Sequence, residues 1–167
     1  TNSSGDVYVT SRTVSGSSTT TNDISKIAAA GTLTWSKTFT ISTGATVVKL
    51  ALDSSENVFL AASTVAGTGW LIKYNLSGTY QWYKAINVPI SAPVTDSSGN
   101  IYALANGGVS VIKFDTFGAI SWQYTYKNSA NTVVFNDMCI DSSSNLYLCG
   151  QDLTTNKAVI LKLNSSG

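Results

Sequence analysis

The stretch Val111-Ile-Lys-Phe-Asp-Thr-Phe-Gly118-Ala-Ile-Ser-Trp122 contains two apolar runs separated by a short turn. Lys113 lies five residues before the glycine, and Trp122 lies four residues after it. The same frame occurs at Lys73, Gly78 and Trp82 and at Lys26, Gly31 and Trp35, and it begins again at Lys162 and Gly167. A frame that recurs roughly every 40 to 50 residues is the signature of a repeat protein.

Each copy of the frame predicts a strand, a tight turn and a second strand. The first strand is a short apolar run, as in Leu71–Tyr74 and Ile160–Leu163. The turn closes with Gly, which accepts the backbone angles of tight turns. In the second strand apolar and polar residues alternate, which is typical of an outer strand with one packed face. In the third copy the predicted packed face comprises Ile120, Trp122, Tyr124 and Tyr126.

A second hairpin precedes each frame. Its turn reads Asp-Ser-Ser-x-Asn at 53–57, 96–100 and 141–145, and Asn-Ser-Ser-Gly-Asp at 2–6. Nearly continuous apolar runs follow three of these turns, as expected for strands that are covered on both sides. These runs are Val58–Ala61, Ile101–Ala105 and Leu146–Cys149.

The repeat units span approximately 1–41, 46–87, 90–127 and 132–167, and we predict three, four, four and three strands in them. Four antiparallel strands of graded burial make up a β-propeller blade. We therefore predict an all-β chain forming a β-propeller segment of about four blades, the terminal ones incomplete. Because incomplete blades leave strand edges unpaired, we expect further blades or another chain to complete the assembly.

Composition excludes several classes of function. With 167 residues, 43% of them apolar, the chain can bury a sizeable core and is predicted to form one domain, 1–167. The net charge is +1 and Arg12 is the sole arginine, so we expect no nucleic-acid partner. No apolar run approaches the roughly 20 residues of a membrane helix, so we expect no membrane insertion.

The chain contains no histidine, which removes the commonest general base and metal ligand. Glu56 is the only glutamate, and no pair of carboxylates stands out as an acid–base pair. We therefore predict a chain without catalytic residues, cofactor or metal. Low charge with abundant Ser, Thr, Asn and Gly is typical of secreted and virion-surface proteins, and we expect one of these locations.

The frame of an apolar strand, Asp or Asn, two residues, Gly, three residues and Trp resembles the tryptophan-docking motif of quinoprotein-type propellers. It is also similar to propeller repeats of bacterial secreted and surface proteins. The resemblance covers essentially the whole chain. It implies that Trp35, Trp82 and Trp122, the docking tryptophans, pack against the neighbouring blade.

The chain also departs from the quinoprotein family. That family favours Thr before the glycine, where this chain has Ala30, Ser77 and Phe117, and Ala28 stands where the first turn should open with Asp or Asn. The family's enzymes use adjacent cysteines at the cofactor, whereas Cys139 and Cys149 are ten residues apart. The resemblance thus implies blade architecture without quinone chemistry.

Two recurring features and the pair of cysteines each have a functional and a structural interpretation. The four frame lysines could ring an anionic ligand, but we favour lysines with solvated or snorkelling side chains. The Asp-Ser-Ser turns faintly resemble calcium loops but lack their dense acidic ligands, so we favour hairpin turns. Cys139 and Cys149 could form a disulfide, but we favour two buried thiols.

Binding residues are expected on one rim of the propeller. The Asp-Ser-Ser and glycine turns share one rim, which we call the turn rim. The opposite rim, the loop rim, gathers the variable segments: Val14–Asn22, Val65–Gly69, Asn106–Gly108, Asp152–Asn156, Ser42–Ala45, Asn87–Pro89 and Asn128–Asn131. Variable loops on a rigid scaffold are where recognition usually occurs, although the variation could reflect tolerance alone. The predicted anchors on the loop rim are Arg12, Trp70 and Lys127.

Trp70 is the tryptophan that the frame does not require, since Asp23, Ser110 and Val159 occupy its position in the other copies. It could stack on a ligand or serve ordinary packing. We expect the chain to be a non-enzymatic binding or structural module, for which a protein or a glycan is a possible partner. The alternative is a fragment of a quinoprotein-type propeller enzyme whose active site lies outside this window.

Overall fold

The computed structural model describes residues 1–15, 19–41, 46–64, 66–127 and 132–167. Across these residues the chain forms fourteen strands and one 3₁₀ turn at Asn106–Gly108. The strands are β1 (Val7–Ser15), β2 (Thr19–Ile27), β3 (Leu33–Phe39), β4 (Thr46–Leu52), β5 (Val58–Ser63), β6 (Gly69–Tyr74), β7 (Tyr80–Ile86), β8 (Ile90–Thr95), β9 (Ile101–Ala105), β10 (Ser110–Phe114), β11 (Ile120–Thr125), β12 (Val133–Ile140), β13 (Leu146–Asp152) and β14 (Lys157–Leu163).

The strands form four antiparallel sheets, in each of which strands adjacent in sequence are paired. We number them blade 1 (β1–β3), blade 2 (β4–β7), blade 3 (β8–β11) and blade 4 (β12–β14). Successive blades meet through their inner strands, β1 with β4, β4 with β8, and β8 with β12. The prediction of an all-β propeller segment with about four blades and incomplete terminal blades is confirmed.

One predicted loop is mostly strand. The segment Val14–Asn22 was expected to be irregular, but β1 continues to Ser15 and β2 begins at Thr19, with Arg12 opposite Asn22 in the register. Consecutive β-branched residues, Thr13-Val14 in β1 and Thr19–Thr21 in β2, favour the longer strands. Positions 16–18 lie outside the described residues, as do position 65 and the expected connections at 42–45 and 128–131.

Three apolar clusters fill the interfaces between successive blades. Each cluster draws fully buried side chains from both blades: Ile24 and Leu60 between blades 1 and 2, Phe59 and Phe114 between blades 2 and 3, and Leu104 and Leu146 between blades 3 and 4. Blades 2 and 3 therefore bury each of their faces against a different neighbour. This is why a single repeat cannot form a core alone.

The nearly continuous apolar strands behave as predicted in blades 2 and 3 but not in blade 4. Val58–Ala62 in β5 and all of β9 are buried on both faces. In β13, Leu146 and Leu148 are buried against blade 3, whereas Cys149 is exposed. The prediction of a strand covered on both sides is wrong there, because no further described blade covers the second face.

A bulge interrupts each outer strand. In β11 the register pairs Trp122 with Lys113 but Ile120 with Phe114, so one extra residue lies between them. The same shift occurs in β3 and β7. The predicted single face for Ile120 and Trp122 is therefore wrong, because the bulge turns the first residue of the strand towards the opposite side.

The docking tryptophans lie against the glycine turn of the next blade. Trp35 Nε1 donates a hydrogen bond to the Leu76 carbonyl at 3.1 Å, and Trp122 Nε1 donates to the Ser165 carbonyl at 3.2 Å. A Cβ added to Gly78 would lie 2.7 Å from Trp35, and one added to Gly118 would lie 2.9 Å from Trp82. At these two interfaces the tryptophan of one blade therefore requires a residue without a side chain in the next, whereas a Cβ on Gly167 would be in ordinary contact with Trp122, at 3.5 Å.

This contact predicts different costs for the same substitution at equivalent turns. Gly31, Gly78 and Gly118 all have a positive φ, so alanine is strained at each by about 1 kcal/mol. At Gly78 and Gly118 the methyl group also collides with a docking tryptophan, whereas a Cβ at Gly31 meets no described atom within 4 Å. We expect Gly78→Ala and Gly118→Ala to destabilise the chain by about 1–3 kcal/mol more than Gly31→Ala in urea unfolding. Equal losses at the three turns would contradict the docking role.

Candidate binding cleft

A cleft of about 390 Å³ lies between the end of β3 in blade 1 and the outer strands β6 and β7 of blade 2. We call it the aromatic cleft. Its lining comprises Phe39, Thr40, Ile41, Trp70, Ile72, Tyr74, Tyr80 and Tyr83. Five of these eight side chains are aromatic and none is charged. A concave, mostly apolar site with a few polar groups is the usual form of a small-ligand pocket.

The strand register builds the blade 2 wall of the cleft. Alternation along β6 places Trp70, Ile72 and Tyr74 on the face towards blade 1. The register sets Tyr83 opposite Ile72 and Tyr80 opposite Tyr74. Tyr80 and Tyr83 are three residues apart, so a regular strand would place them on opposite faces. The β7 bulge brings both onto the cleft side.

The aromatic rings contact one another along this wall. The ring centroids of Trp70 and Tyr83 are 5.3 Å apart, those of Tyr74 and Tyr80 are 6.0 Å apart, and those of Phe39 and Tyr74 are 5.8 Å apart. These are separations of favourable tilted and edge-to-face pairs. Tyr80 and Tyr83 remain 49% and 55% exposed, so their free faces are accessible from solvent.

The cleft contains two uncharged polar groups, the indole Nε1 of Trp70 and the hydroxyl of Tyr74. Trp70 Nε1 is buried and has no hydrogen-bond partner among the described residues. An unpaired buried donor costs about 1–3 kcal/mol, and such a group calls for an acceptor from water or a ligand. Burial, and then the nearby Tyr80, raises the pKa of the Tyr74 hydroxyl, which therefore remains a phenol.

The structure separates the three predicted anchors. Trp70 lines the aromatic cleft. Arg12 lies on β1 and Lys127 just beyond β11, both exposed and neither among the cleft-lining residues. Sequence reasoning missed Phe39, Tyr80 and Tyr83, because they were assigned to outer strands by simple alternation. An aromatic residue immediately after a docking tryptophan, as at Tyr83, was the available signal.

The frame lysines lie over aromatic rings of the adjacent strand. Lys26, Lys73, Lys113 and Lys162 are 5.0–5.3 Å from the ring centroids of Tyr8, Phe59, Tyr102 and Tyr147. In blades 1 to 3 the strand on the other side of the lysine is the outer strand, in which the docking tryptophan is directly opposite the lysine. In blades 1 to 3 the lysine stem thus lies between two aromatic side chains of one blade, whereas Lys162 in blade 4 has one ring partner and is exposed.

Lys26 differs from the other frame lysines in forming an ionic cluster. Its Nζ lies 3.0 Å from both Asp6 and Glu56, and the Tyr8 hydroxyl donates to Glu56 at 3.0 Å. Glu56 belongs to blade 2, so the cluster joins two blades. Lys26 lowers the pKa of Asp6, and Asn2 followed by Lys26 lowers that of Glu56. The Tyr8 hydroxyl and the two carboxylates raise the pKa of Lys26.

The two cysteines are free and exposed on the outward face of blade 4. The prediction of buried thiols is wrong, because this face lacks a covering blade. Cys139 pairs with Tyr147 and Cys149 with Asp137 in the register. Among the described residues, no group of three Cys, Asp or Glu side chains is placed to hold a metal ion. In the same part of the chain no helix has the length and apolarity to cross a membrane.

Comparisons with known proteins found structural similarity but no match in sequence. No family model and no curated protein matches the chain. A virginiamycin B lyase from Staphylococcus aureus is similar over 85% of this chain and 48% of its own, with 13% identity and a TM-score of 0.57. A streptogramin B lyase matches 96% of this chain and 55% of its own, with 18% identity and a TM-score of 0.55. A luciferin-regenerating enzyme matches 89% and 51%, with 14% identity and a TM-score of 0.56.

These neighbours have propeller-type folds. The chain spans about half of the length of each. The structural resemblance therefore supports a propeller-type repeat at the level of the fold.

The ionic cluster predicts a pH-dependent difference between two matched variants. Lys26→Met removes the ring contact and both ion pairs, whereas Lys73→Met removes a ring contact at the same frame position. We expect Lys26→Met to lower the urea midpoint more than Lys73→Met at pH 7. Carboxylates with lowered pKa values stabilise the fold above their unfolded values, roughly pH 4, and lose this effect as the pH falls through the folded values.

The difference between the two variants should accordingly shrink towards pH 3, when Asp6 and Glu56 are protonated. Urea unfolding of both variants at a series of pH values measures it. A difference that is independent of pH, or no difference at pH 7, would show that the ion pairs contribute nothing to the interface.

Proposed function

We propose that the chain is a non-enzymatic binding module and that it holds its ligand in the aromatic cleft. The observation that carries the proposal is the wall of accessible tyrosine rings beside Trp70, whose buried Nε1 has no partner among the described residues. A wall made for packing alone would not need two half-exposed tyrosines. Tyrosine and tryptophan offer large rigid contact areas at a small entropic cost, and binding surfaces are enriched in them.

The same positions in the next blade support this interpretation. Ser110 and Gln123 of blade 3 correspond in the frame to Trp70 and Tyr83 of blade 2. Ser110 shares a hydrogen bond with Thr125 at 3.0 Å within its own sheet. The blade architecture therefore does not require aromatic side chains at these two positions, and their presence in blade 2 calls for another reason.

Composition supports the remaining parts of the proposal. The absence of histidine and the scarcity of glutamate favour binding over acid–base catalysis. Low charge with many Ser, Thr, Asn and Gly residues favours an extracellular or virion-surface location. The alternative, a fragment of a quinoprotein-type enzyme, predicts an absorbance change when a quinone and calcium are added to the protein.

Completion by further blades, or by another chain, is also part of the proposal. On the outward face of blade 4, Cys149, Ile160 and Lys162 are exposed and Tyr147 is half-buried. Tyr147, Cys149 and Ile160 occupy the frame positions of Phe59, Ala61 and Leu71, which are buried in the cluster between blades 2 and 3. A face built for packing and left open favours association.

A ligand screen tests the binding role. Saturation-transfer NMR of the wild-type chain against a library of neutral and charged small molecules should reveal ligands. A Tyr80→Ala/Tyr83→Ala variant should lose them, because it removes the accessible wall of the cleft. Phe117→Ala, which truncates an aromatic ring that is 76% exposed in a turn of blade 3, is the matched control and should retain them. Ligands that bind equally to all three proteins, or a screen without ligands, would refute the proposal.

A second experiment tests completion. We expect the isolated chain to self-associate through the outward face of blade 4 in sedimentation velocity. Ile160→Asp, at a residue that is 78% exposed on that face, should shift the distribution towards monomer. Leu153→Asp, at a 63% exposed residue in the turn between β13 and β14, should not. A wild-type chain that stays monomeric at high concentration would contradict the expectation.

A further inference from the structure

We propose that the ligand of the aromatic cleft is a neutral carbohydrate chain, with sugar rings against Tyr80 and Tyr83 and a sugar oxygen accepting the hydrogen bond of Trp70 Nε1. The inference rests on the proposed function, since it names the ligand class for that site. Three features of the cleft lead to it: its charge, the arrangement of its rings and its size.

The absence of charged side chains from the cleft lining favours a neutral ligand. None of its eight lining residues carries a charge, and the hydroxyl groups of Thr40, Tyr74, Tyr80 and Tyr83 are the polar side-chain groups that accompany Trp70 Nε1. Burial of an ionised ligand against such a wall would leave its charge unpaired, which is strongly unfavourable. Nucleic acids and acidic polysaccharides are therefore poor candidates. A ligand that presents hydroxyl groups and no charge matches the donors that are present.

The rings form two platforms along the strand direction. Tyr83 packs against Trp70 and is registered with Ile72, while Tyr80 packs against Tyr74 two residues further along β6. At about 3.4 Å per residue the two platforms are roughly 7 Å apart. Two half-exposed tyrosine rings in succession suit consecutive rings of an oligosaccharide, whose ring faces carry C–H groups and whose edges carry hydroxyls. A single aromatic molecule would use one platform only.

The size of the cleft argues against a folded protein as the occupant. A stable protein interface buries on the order of 1,200–2,000 Å² in total, whereas the cleft is concave and about 390 Å³ in volume. That volume lies at the small end of the range for small-molecule sites. Trp70 lines the cleft and its buried Nε1 has no partner among the described residues, so we infer that a small hydroxyl group reaches it more readily than a broad protein surface does.

The test uses the intact 167-residue chain and defined probes. Isothermal titration is performed with neutral hexasaccharides of glucose, xylose, mannose and N-acetylglucosamine, with a galacturonate hexamer as the anionic probe and with free indole as the aromatic probe. We expect at least one neutral hexasaccharide to bind. We expect its Kd to rise at least about tenfold in Tyr83→Ala, because a stacking surface is lost. Phe117→Ala should leave the Kd unchanged.

Trp70→Phe separates sugar recognition from simple ring packing. It keeps an aromatic ring in the wall but removes the Nε1 donor, so the affinity for the hexasaccharide should fall several-fold. Circular dichroism and urea unfolding of each variant show whether it is folded. If Trp70→Phe fails to fold, the Tyr83→Ala variant tests the carbohydrate ligand instead. Tyr83 is more than half exposed, so its truncation should leave the fold intact.

The outcomes distinguish this inference from the proposed function. Binding of a neutral hexasaccharide that depends on Tyr83 supports both. Binding of indole alone would overturn the inference of a carbohydrate ligand and leave the binding role intact. The same holds if other ligands from the NMR screen bind in a manner that depends on Tyr80 and Tyr83. Equal or tighter binding of the galacturonate hexamer, or binding of a protein partner through the cleft, also overturns the inference of a carbohydrate ligand. If neither experiment finds a ligand, both proposals fail.

Discussion

The fit of a tryptophan against a glycine in the next blade is the contact on which the rest of the structure depends. A blade exposes two apolar faces, and each is buried only when the neighbouring blade lies at one distance and angle. Trp35 and Trp82 set that distance because Gly78 and Gly118 allow the indole to approach the backbone. The glycine meets two requirements at once, since its positive φ closes the turn and its missing Cβ makes room for the ring. This explains why glycine and tryptophan recur in register.

The bulge in the outer strand allows one strand to serve two interfaces. In β7, Trp82 points to blade 3, while Tyr80 and Tyr83 line the cleft towards blade 1. A regular strand would have placed Tyr80 beside Trp82. The extra residue therefore separates docking from the proposed binding surface, and the tyrosines can differ between blades without disturbing the tryptophan contact.

The first turn shows how a repeat can be modified locally. In the later turns an Asp opens the turn and accepts a hydrogen bond from the closing Asn, as Asp53 does from Asn57 at 2.7 Å. In the first turn the two residue types are exchanged, and Asn2 donates to Asp6 at 3.0 Å. The turn is preserved, but the carboxylate now lies beside Lys26. Together with Glu56, this exchange converts a lysine that is stacked on a ring into an ionic link between blades 1 and 2.

The sequence by itself determined the number of blades, the strands within them and the turns between them. Those features depend on local pattern: apolar runs of strand length, turn residues at fixed positions and a lysine–glycine–tryptophan frame that repeats. Trp70 also stood out from the sequence, because the frame does not require it. Only the tertiary structure decided which faces are buried and which residues surround Trp70. The bulges shift the side chains after each glycine turn, and the open face of blade 4 exposes Cys149 on an otherwise apolar strand. Both effects arise from packing between residues that are distant in sequence, and alternation along a single strand carries no information about them.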